Sequence, residues 1–396
     1  MKLFQQLLVA PAALGLLATG ANAAELNING VSDYATSADQ VTSVTQFSTT
    51  TKLKGKADWV FGAVKAHGED SDAFEAANGG TSFSYNLALN LETSFTGKDL
   101  LYTRLRAGNV ANVYGDLFSQ EYAIDTGNTV IVNRLYYSFP IGENFTVVGG
   151  PIVRMDDMLP VWPSAYPSAM TYDFFSYAGA PGAYNLWLGA GAGVYWKSDD
   201  FSISTSYVSS NGNLSDPNAG GIGTNGADFS ATTQIAYAPE NWGIAAAYTK
   251  ASGNSDKLYI GNANPDGIAI SGLGSQTNSW GLSAWWMPEE SGWIPSISSG
   301  VGMTYADDEE SASWYVGLEW TDAFMEGNSL GMAVGQPTFE TDGEGAGYAW
   351  EFFYKFQVTD NISVTPAITY LAKPFPSQDS DGMNALSGLI KTQFKF

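Results

Sequence analysis

The sequence predicts an all-β fold: a closed antiparallel transmembrane β-barrel of about 16 strands, give or take two, with short turns at one end and long loops at the other. Three observations predict it. Segments of about ten residues alternate apolar with small or polar side chains. The connections between these segments alternate short with long. The composition joins 44 glycines to 14% aromatic residues, while only 17 of 396 residues are Lys or Arg. High glycine and aromatic content with many short strands suits a barrel whose exterior wears aromatic girdles.

The chain begins with an export signal. Lys2 supplies the positive start, Leu3 to Leu17 a short apolar stretch broken at Pro11, and Ala21-Asn22-Ala23 a small-residue cleavage site. Residues 1–23 read as a signal peptide, so the mature chain is expected to begin at Ala24. The apolar stretch is shorter than the roughly 20 residues a spanning helix needs, and no later run reaches that length. Residues 24–48 read as an N-terminal periplasmic segment and residues 49–396 as the barrel.

Two-residue periodicity sends alternate side chains to opposite faces of a strand. Phe83, Tyr85, Leu87, Leu89 and Leu91 share one face, against Asn86, Ala88 and Asn90. Trp314, Val316, Leu318 and Trp320 oppose Ser313, Tyr315, Gly317 and Glu319; Trp350, Phe352, Tyr354 and Phe356 oppose Ala349, Glu351 and Lys355. A soluble sandwich alternates as well. The membrane barrel is favoured because Trp and Tyr gather toward strand ends, and because the other faces hold mostly Gly, Ala, Ser, Thr and Asn.

Strands are expected to begin near Thr51, Ser82, Asp99, Val130, Phe145, Leu186, Phe201, Asp228, Trp242, Thr277, Ser296, Ser311, Ser329, Ala346, Ile362 and Ala385. Tight connections such as Thr96-Gly97-Lys98, Ile141 to Asn144, Ser198 to Asp200 and Thr359 to Asn361 interleave with long ones. The long ones run from Lys65 to Thr81, Asn109 to Thr129, Met155 to Asn185, Asn211 to Ala227 and Gly253 to Gln276. A sandwich has no reason to sort its loops by parity; a barrel with short periplasmic turns and long outer loops does. The rhythm weakens after Met287. The last strand, ending Gln393-Phe394-Lys395-Phe396, suits closure against the first, which removes sheet edges.

The net charge of −23 argues against nucleic acid as a partner, because phosphate binding needs a basic footprint. Cysteine is absent, which rules out disulfides and thiolate metal sites. The single histidine, His67, sits in a Gly-Glu-Asp context that reads as a solvated loop, and no P-loop or nucleophile elbow occurs. No catalytic residue, metal site or cofactor is predicted. Asp307-Asp308 and Glu309-Glu310 read as wet loop charge. Two other classes stand beside the barrel reading: a secreted soluble β-sandwich that binds glycans, and an outer-membrane enzyme.

Several stretches carry a family resemblance. Ala24-Glu25-Leu26-Asn27-Ile28-Asn29-Gly30-Val31-Ser32-Asp33-Tyr34, the run from Gln40 to Ser48, the run from Phe95 to Asn109, Asp173-Phe174-Phe175 and Ala178-Gly179-Ala180-Pro181-Gly182 closely resemble cyanobacterial outer-membrane porins. That group is similar to the carbohydrate-selective porins, and some members are labelled iron-uptake porins. The resemblance implies a homotrimeric, passive channel in outer-membrane lipid for small hydrophilic solutes, either sugars or inorganic ions. In typical relatives the stretch matching Gln46-Phe47-Ser48 continues into an S-layer-homology module that binds a peptidoglycan-linked polymer. Here Thr49 leads directly toward Thr51 to Lys56, so no peptidoglycan-binding module is expected.

Within such a barrel the basic residues define a candidate pore lining. Lys52, Lys54 and Lys56 alternate along one strand face; Arg104 and Arg106 share a face with Tyr102, and Arg134 with Tyr136 and Ser138. A charge facing lipid at mid-bilayer costs about 2–4 kcal/mol, so these residues and Arg154 are expected to point inward. The stretch from Met155 to Asn185 follows the fifth strand, where porins place an inward-folded constriction loop. Its Asp156, Asp157 and Asp173 are expected to face the basic wall across an eyelet and set up a transverse field.

Overall fold

The computed structural model describes residues 50–69, 71–111, 113, 120–167, 172–252, 276–290, 292–306, 309–339, 347–373 and 382–396. The expected signal peptide (1–23), the N-terminal segment (24–48), the run from Gln40 to Ser48 and Asp307-Asp308 lie outside the described residues.

Sixteen strands form one closed sheet: β1 (Thr51–His67), β2 (Ser82–Thr93), β3 (Leu100–Gly108), β4 (Ile131–Ile141), β5 (Phe145–Arg154), β6 (Leu188–Ser198), β7 (Phe201–Ser209) and β8 (Phe229–Tyr237), then β9 (Trp242–Ser252), β10 (Gln276–Trp286), β11 (Ser296–Ala306), β12 (Glu309–Thr321), β13 (Ser329–Phe339), β14 (Ala349–Thr359), β15 (Ile362–Ala372) and β16 (Asn384–Lys395). Every expected strand start lies within three residues of the observed one. Each strand pairs antiparallel with its chain neighbours, and β1 closes on β16 in a register running from Lys56↔Lys395 to His67↔Asn384. The closing seam continues to the chain end, where the Phe396 N–H donates to Gly55 O at 3.0 Å. Closure leaves no edge strand to template aggregation.

Alternation decides the two faces. On β1 and β2 the apolar set Trp59, Phe61 and Phe83 is exposed on the outside, while Asp58, Val60 and Asn86 are buried on the inside. Aromatic pairs ring both ends of the exterior. Toward the loop end these are Tyr207–Phe229, Tyr248–Trp280, Trp314–Tyr348 and Trp350–Tyr370; toward the turn end, Phe95–Tyr137, Trp196–Phe201, Tyr237–Trp242 and Tyr354–Phe356. Amphipathic rings at both borders of an apolar band are what a bilayer selects.

The sorting of connections holds through β9 and then weakens. At the turn end, 142–144, 199–200 and 238–241 are tight, but 287–295 and 322–328 are longer; at the loop end, 68–81, 109–130, 155–187 and 210–228 are long, but β11 and β12 are joined through 307–308 alone. The 68–81 connection carries a short helix, α1 (Ser71–Asn78), tied to β1 where the Ala66 N–H donates to Glu75 Oε1 at 2.8 Å. His67 is the exposed last residue of β1 rather than part of a loop.

Candidate functional site in the barrel interior

The 155–187 connection does not stand out into solvent. It opens with a single 3-10 turn (Met155–Met158), then crosses the barrel interior to a short helix, α2 (Asp173–Ser176), and returns to β6. Inward hydroxyls of β8 to β15 catch it along its length. Ser298 Oγ accepts from the Ala165 and Tyr166 N–H groups at 2.9 and 3.0 Å. Ser313 Oγ donates to Gly179 O at 2.7 Å, Thr249 Oγ1 to Ala183 O at 2.7 Å, and Ser283 Oγ to Ala178 O at 3.2 Å. Asn185 Nδ2 donates to Ser230 Oγ at 3.0 Å. On β14, the buried Glu351 accepts from Tyr166 OH at 2.6 Å and from the Tyr172 N–H at 3.0 Å, and Tyr172 OH meets Thr369 Oγ1 at 2.8 Å. These bonds satisfy a backbone that would otherwise be costly to bury.

Tyr166, Phe174, Phe175 and Tyr184 of this loop pack with wall residues Tyr315 and Phe353 into a dry aromatic cluster inside the barrel. Two glycines permit the close approach. A Cβ on Gly300 would collide with Ala178 O, and one on Gly179, itself at φ +72°, would collide with Gly300. Burial raises the Tyr166 hydroxyl well above its ordinary value, and the Glu351 carboxylate beside it adds to the effect.

The opposite wall carries the charge. Arg104 Nε donates to Asn90 Oδ1 at 2.8 Å and its Nη2 to Tyr102 OH at 2.7 Å; Arg106 Nε donates to Asn86 Oδ1 at 2.9 Å. Asn86 Nδ2 in turn donates to Asp58 Oδ2 at 3.1 Å, and Gln393 Nε2 reaches Asp58 Oδ1 at 2.8 Å. Lys56 lies 3.4 Å from Asp58, and Lys54 pairs with Glu92 at 2.7 Å. Lys52 is exposed near the turn end of β1, on the same face as Lys54 and Lys56. Arg134, 2% exposed, donates from Nε to Asp157 Oδ2 at 2.8 Å, and Arg154 binds Asp156 through two nitrogens. Bulges on the β3–β4, β4–β5 and β5–β6 ladders flank these arginines. Bulges re-aim side chains, which is their usual use beside functional sites.

The expected transverse field needs correcting in one respect. Asp156 and Asp157 do not face the arginines across a gap; they sit at the base of the loop in contact ion pairs with Arg154 and Arg134. Their chain position explains this, because they directly follow Arg154 in a tight turn and cannot reach far from it. Burial works against charge on Asp156, and the Arg154 guanidinium overcomes it, holding the carboxyl below its usual range. Asp173 lies elsewhere, beside Glu121 of the 109–130 connection. Burial, then the neighbouring Asp173 charge, raises the Glu121 carboxyl well above its ordinary value. The two loops also meet through a backbone bridge between Gln120 and Tyr172. Beside them, Lys391 of β16 lies 5.6 Å from the Tyr122 ring centroid.

Asp58, Glu121, Glu351 and Lys391 were not among the sequence candidates. Asp58 continues the alternation of Lys52, Lys54 and Lys56, and Lys391 shares a face with Gln393, so periodicity could have found both. Glu121 sits in an aperiodic loop and has no such signal. Toward the loop end, a cavity of about 400 Å³ opens between β16, β1, β2 and the 109–130 connection, lined by Val60, Val64, Ser84, Gln120, Tyr122 and Leu389.

A closed 16-stranded barrel with girdled exterior, charged inner wall and an inward-folded loop defines an outer-membrane porin. The chain belongs to the carbohydrate-selective porin, OprB family, whose model matches residues 11–396. It is 31% identical to an uncharacterized protein of Synechocystis, covering 89% of this chain and 70% of that one. It is also 31% identical to an uncharacterized protein of Nostoc, covering 89% and 66%. The fold matches Pseudomonas putida OprB with a TM-score of 0.61 at 14% identity over 88% of this chain and 94% of that one. A mutant of the Rhodopseudomonas blastica porin matches with a TM-score of 0.54 at 13% identity, over 87% and 100%.

Proposed function

We propose that solutes cross the barrel along the β16–β1–β5 wall, beside Lys52, Lys54, Lys56, Arg104, Arg106, Arg134 and Arg154, while the 155–187 loop fills the β8–β15 side as the constriction. The asymmetric seating of that loop carries the reading. Beyond its base it leaves the charged wall unfilled, with Glu121 and Asp173 narrowing the path from the loops. The permeants are small sugars, as the family's name indicates, and small ions that share the same water. Passage is passive: the lining groups offer hydrogen bonds and charge, and the family and fold support a channel rather than an enzyme. The functional unit is a homotrimer in outer-membrane lipid.

Liposome swelling tests this. Purified protein should admit monosaccharides quickly and larger oligosaccharides progressively more slowly, and planar bilayers should show conductance steps in threes. Swelling no faster than in protein-free liposomes, or solute-independent swelling, would contradict the proposal.

A further inference from the structure

The two longer turns at the turn end of the barrel are apolar, exposed and bent back over the outside. In the 287–295 turn, Trp293 is 91% exposed and Ile294 61%. Its position is fixed from the exterior, because outward-facing Trp320 of β12 donates its indole N–H to Trp293 O at 3.0 Å. In the 322–328 turn, Phe324 is 79% exposed and Met325 67%. This turn is also held from outside. Tyr354, on the outer face of β14, donates to Ala323 O at 2.7 Å and accepts from Asn328 Nδ2 at 2.9 Å, and its ring lies 6.0 Å from that of Phe324. Phe324 is moreover fixed at φ +64° and Asp322 at φ +55°, a left-handed conformation that a bulky residue adopts only when its surroundings impose it.

We propose that these turns form a one-sided clamp on the inner leaflet, with Trp293, Ile294, Phe324 and Met325 seated at the boundary between phospholipid headgroups and acyl chains. The occupant follows from continuity. Trp286, Ile297, Phe356 and Val358 are the outward residues at the same end of β10, β11 and β14, and they belong to the lipid-facing exterior of an outer-membrane barrel. Short turns mark the periplasmic end, so the leaflet is the inner one. Aromatic and aliphatic side chains at that depth gain from burial, whereas in water they gain nothing. The polar residues of the turns refine the choice of lipid. Glu289, Glu290, Asp322 and Glu326 are acidic, and neither 287–295 nor 322–328 contains Lys or Arg. A zwitterionic headgroup therefore fits better than an anionic one.

The cysteine-free sequence makes the test direct. Single variants Ile294→Cys, Met325→Cys and, as a control in a tight turn at the same end, Glu143→Cys would each carry a nitroxide. Each would be reconstituted in phosphatidylcholine vesicles after its folding is checked by heat-modifiable gel mobility. At 294 and 325, collisions with oxygen should exceed collisions with a water-soluble nickel chelate, and the order should reverse at 143. Raising the phosphatidylglycerol content should make both clamp labels more accessible to nickel. Nickel accessibility at 294 and 325 matching that at 143 in phosphatidylcholine would overturn the proposal. So would shielding from both collision partners with dipolar broadening between labels, which would mean that a second copy covers the turns.

Discussion

On the β8–β15 side of the barrel the inward positions are mostly Ser, Thr, Gly, Ala and aromatic residues, and a buried loop lies across them. On the β16–β1–β5 side they include Lys, Arg, Asp and Asn, bonded mainly to one another, with Val60, Val64 and Leu389 nearer the loop end. The same two-residue alternation produces both walls, so periodicity alone does not distinguish them. What each wall bonds to does. A hydroxyl can satisfy one loop carbonyl or amide at short reach, and a missing Cβ lets the backbones touch, so small residues suit a wall that must be covered. A guanidinium under an apolar loop would need a full set of partners to offset its desolvation. Glu351 is a buried charge on the covered wall, and two loop groups answer it directly.

The contrast is broken most severely at the loop's seat. Gly300→Val places side-chain atoms where Ala178 O lies, and overpacking of this kind costs about 1–3 kcal/mol. The loop should lift from the wall, with single-channel conductance changed and the barrel still heat-modifiable on a gel. Glu351→Ala should act less severely. It removes the acceptor for Tyr166 OH and the Tyr172 N–H, each bond to a charged group being worth about 1.5–3 kcal/mol, so open-channel current noise should rise. Glu351→Gln, which retains a carbonyl acceptor, should restore part of the quiet state.

How much of this was legible beforehand divides along the same line. Strand positions and faces could be read because lipid outside and water inside impose a two-residue period that local sequence must obey. The weaker sorting of loop lengths after β9 was foreshadowed by the medium connections following Met287. The seat of the 155–187 loop was not legible, since Ser298, Ser313 and Thr249 find it only through the closed sheet. Nor were the partners of Asp156 and Asp157. Their charge was plain in the sequence, but a 3-10 turn that folds them back on Arg154 and Arg134 is a local geometry that composition does not specify.

On the charged wall, replacing Arg104 and Arg106 together by Ser should shift the reversal potential under a KCl gradient toward cations. The shift should persist at high salt, because charges beside low-dielectric walls are screened less than those at the mouths, where the Debye length is about 8 Å at physiological ionic strength. A normally inserted double variant with an unmoved reversal potential would place the current elsewhere.

The smallest expected effect is a titration. Glu121 has a raised folded-state value, so it stays protonated past the ordinary carboxylate range and gains its charge as pH rises through that raised value. Cation preference should increase across that interval, and Glu121→Gln should flatten the profile. The stability sign is fixed as well. The contribution is fully present below the ordinary carboxylate value and is lost as pH climbs toward the raised one.

The two-wall account is tested most directly by asking which wall a current-carrying ion can touch. Arg106→Cys and Ser283→Cys each put a single thiol into a chain that has none, the first on the charged wall and the second beneath the loop. A charged methanethiosulfonate reagent added during a bilayer recording should reduce the current quickly at position 106 and leave it unchanged at 283. Rapid modification with loss of current at 283, and none at 106, would mean that solutes pass along the β8–β15 wall.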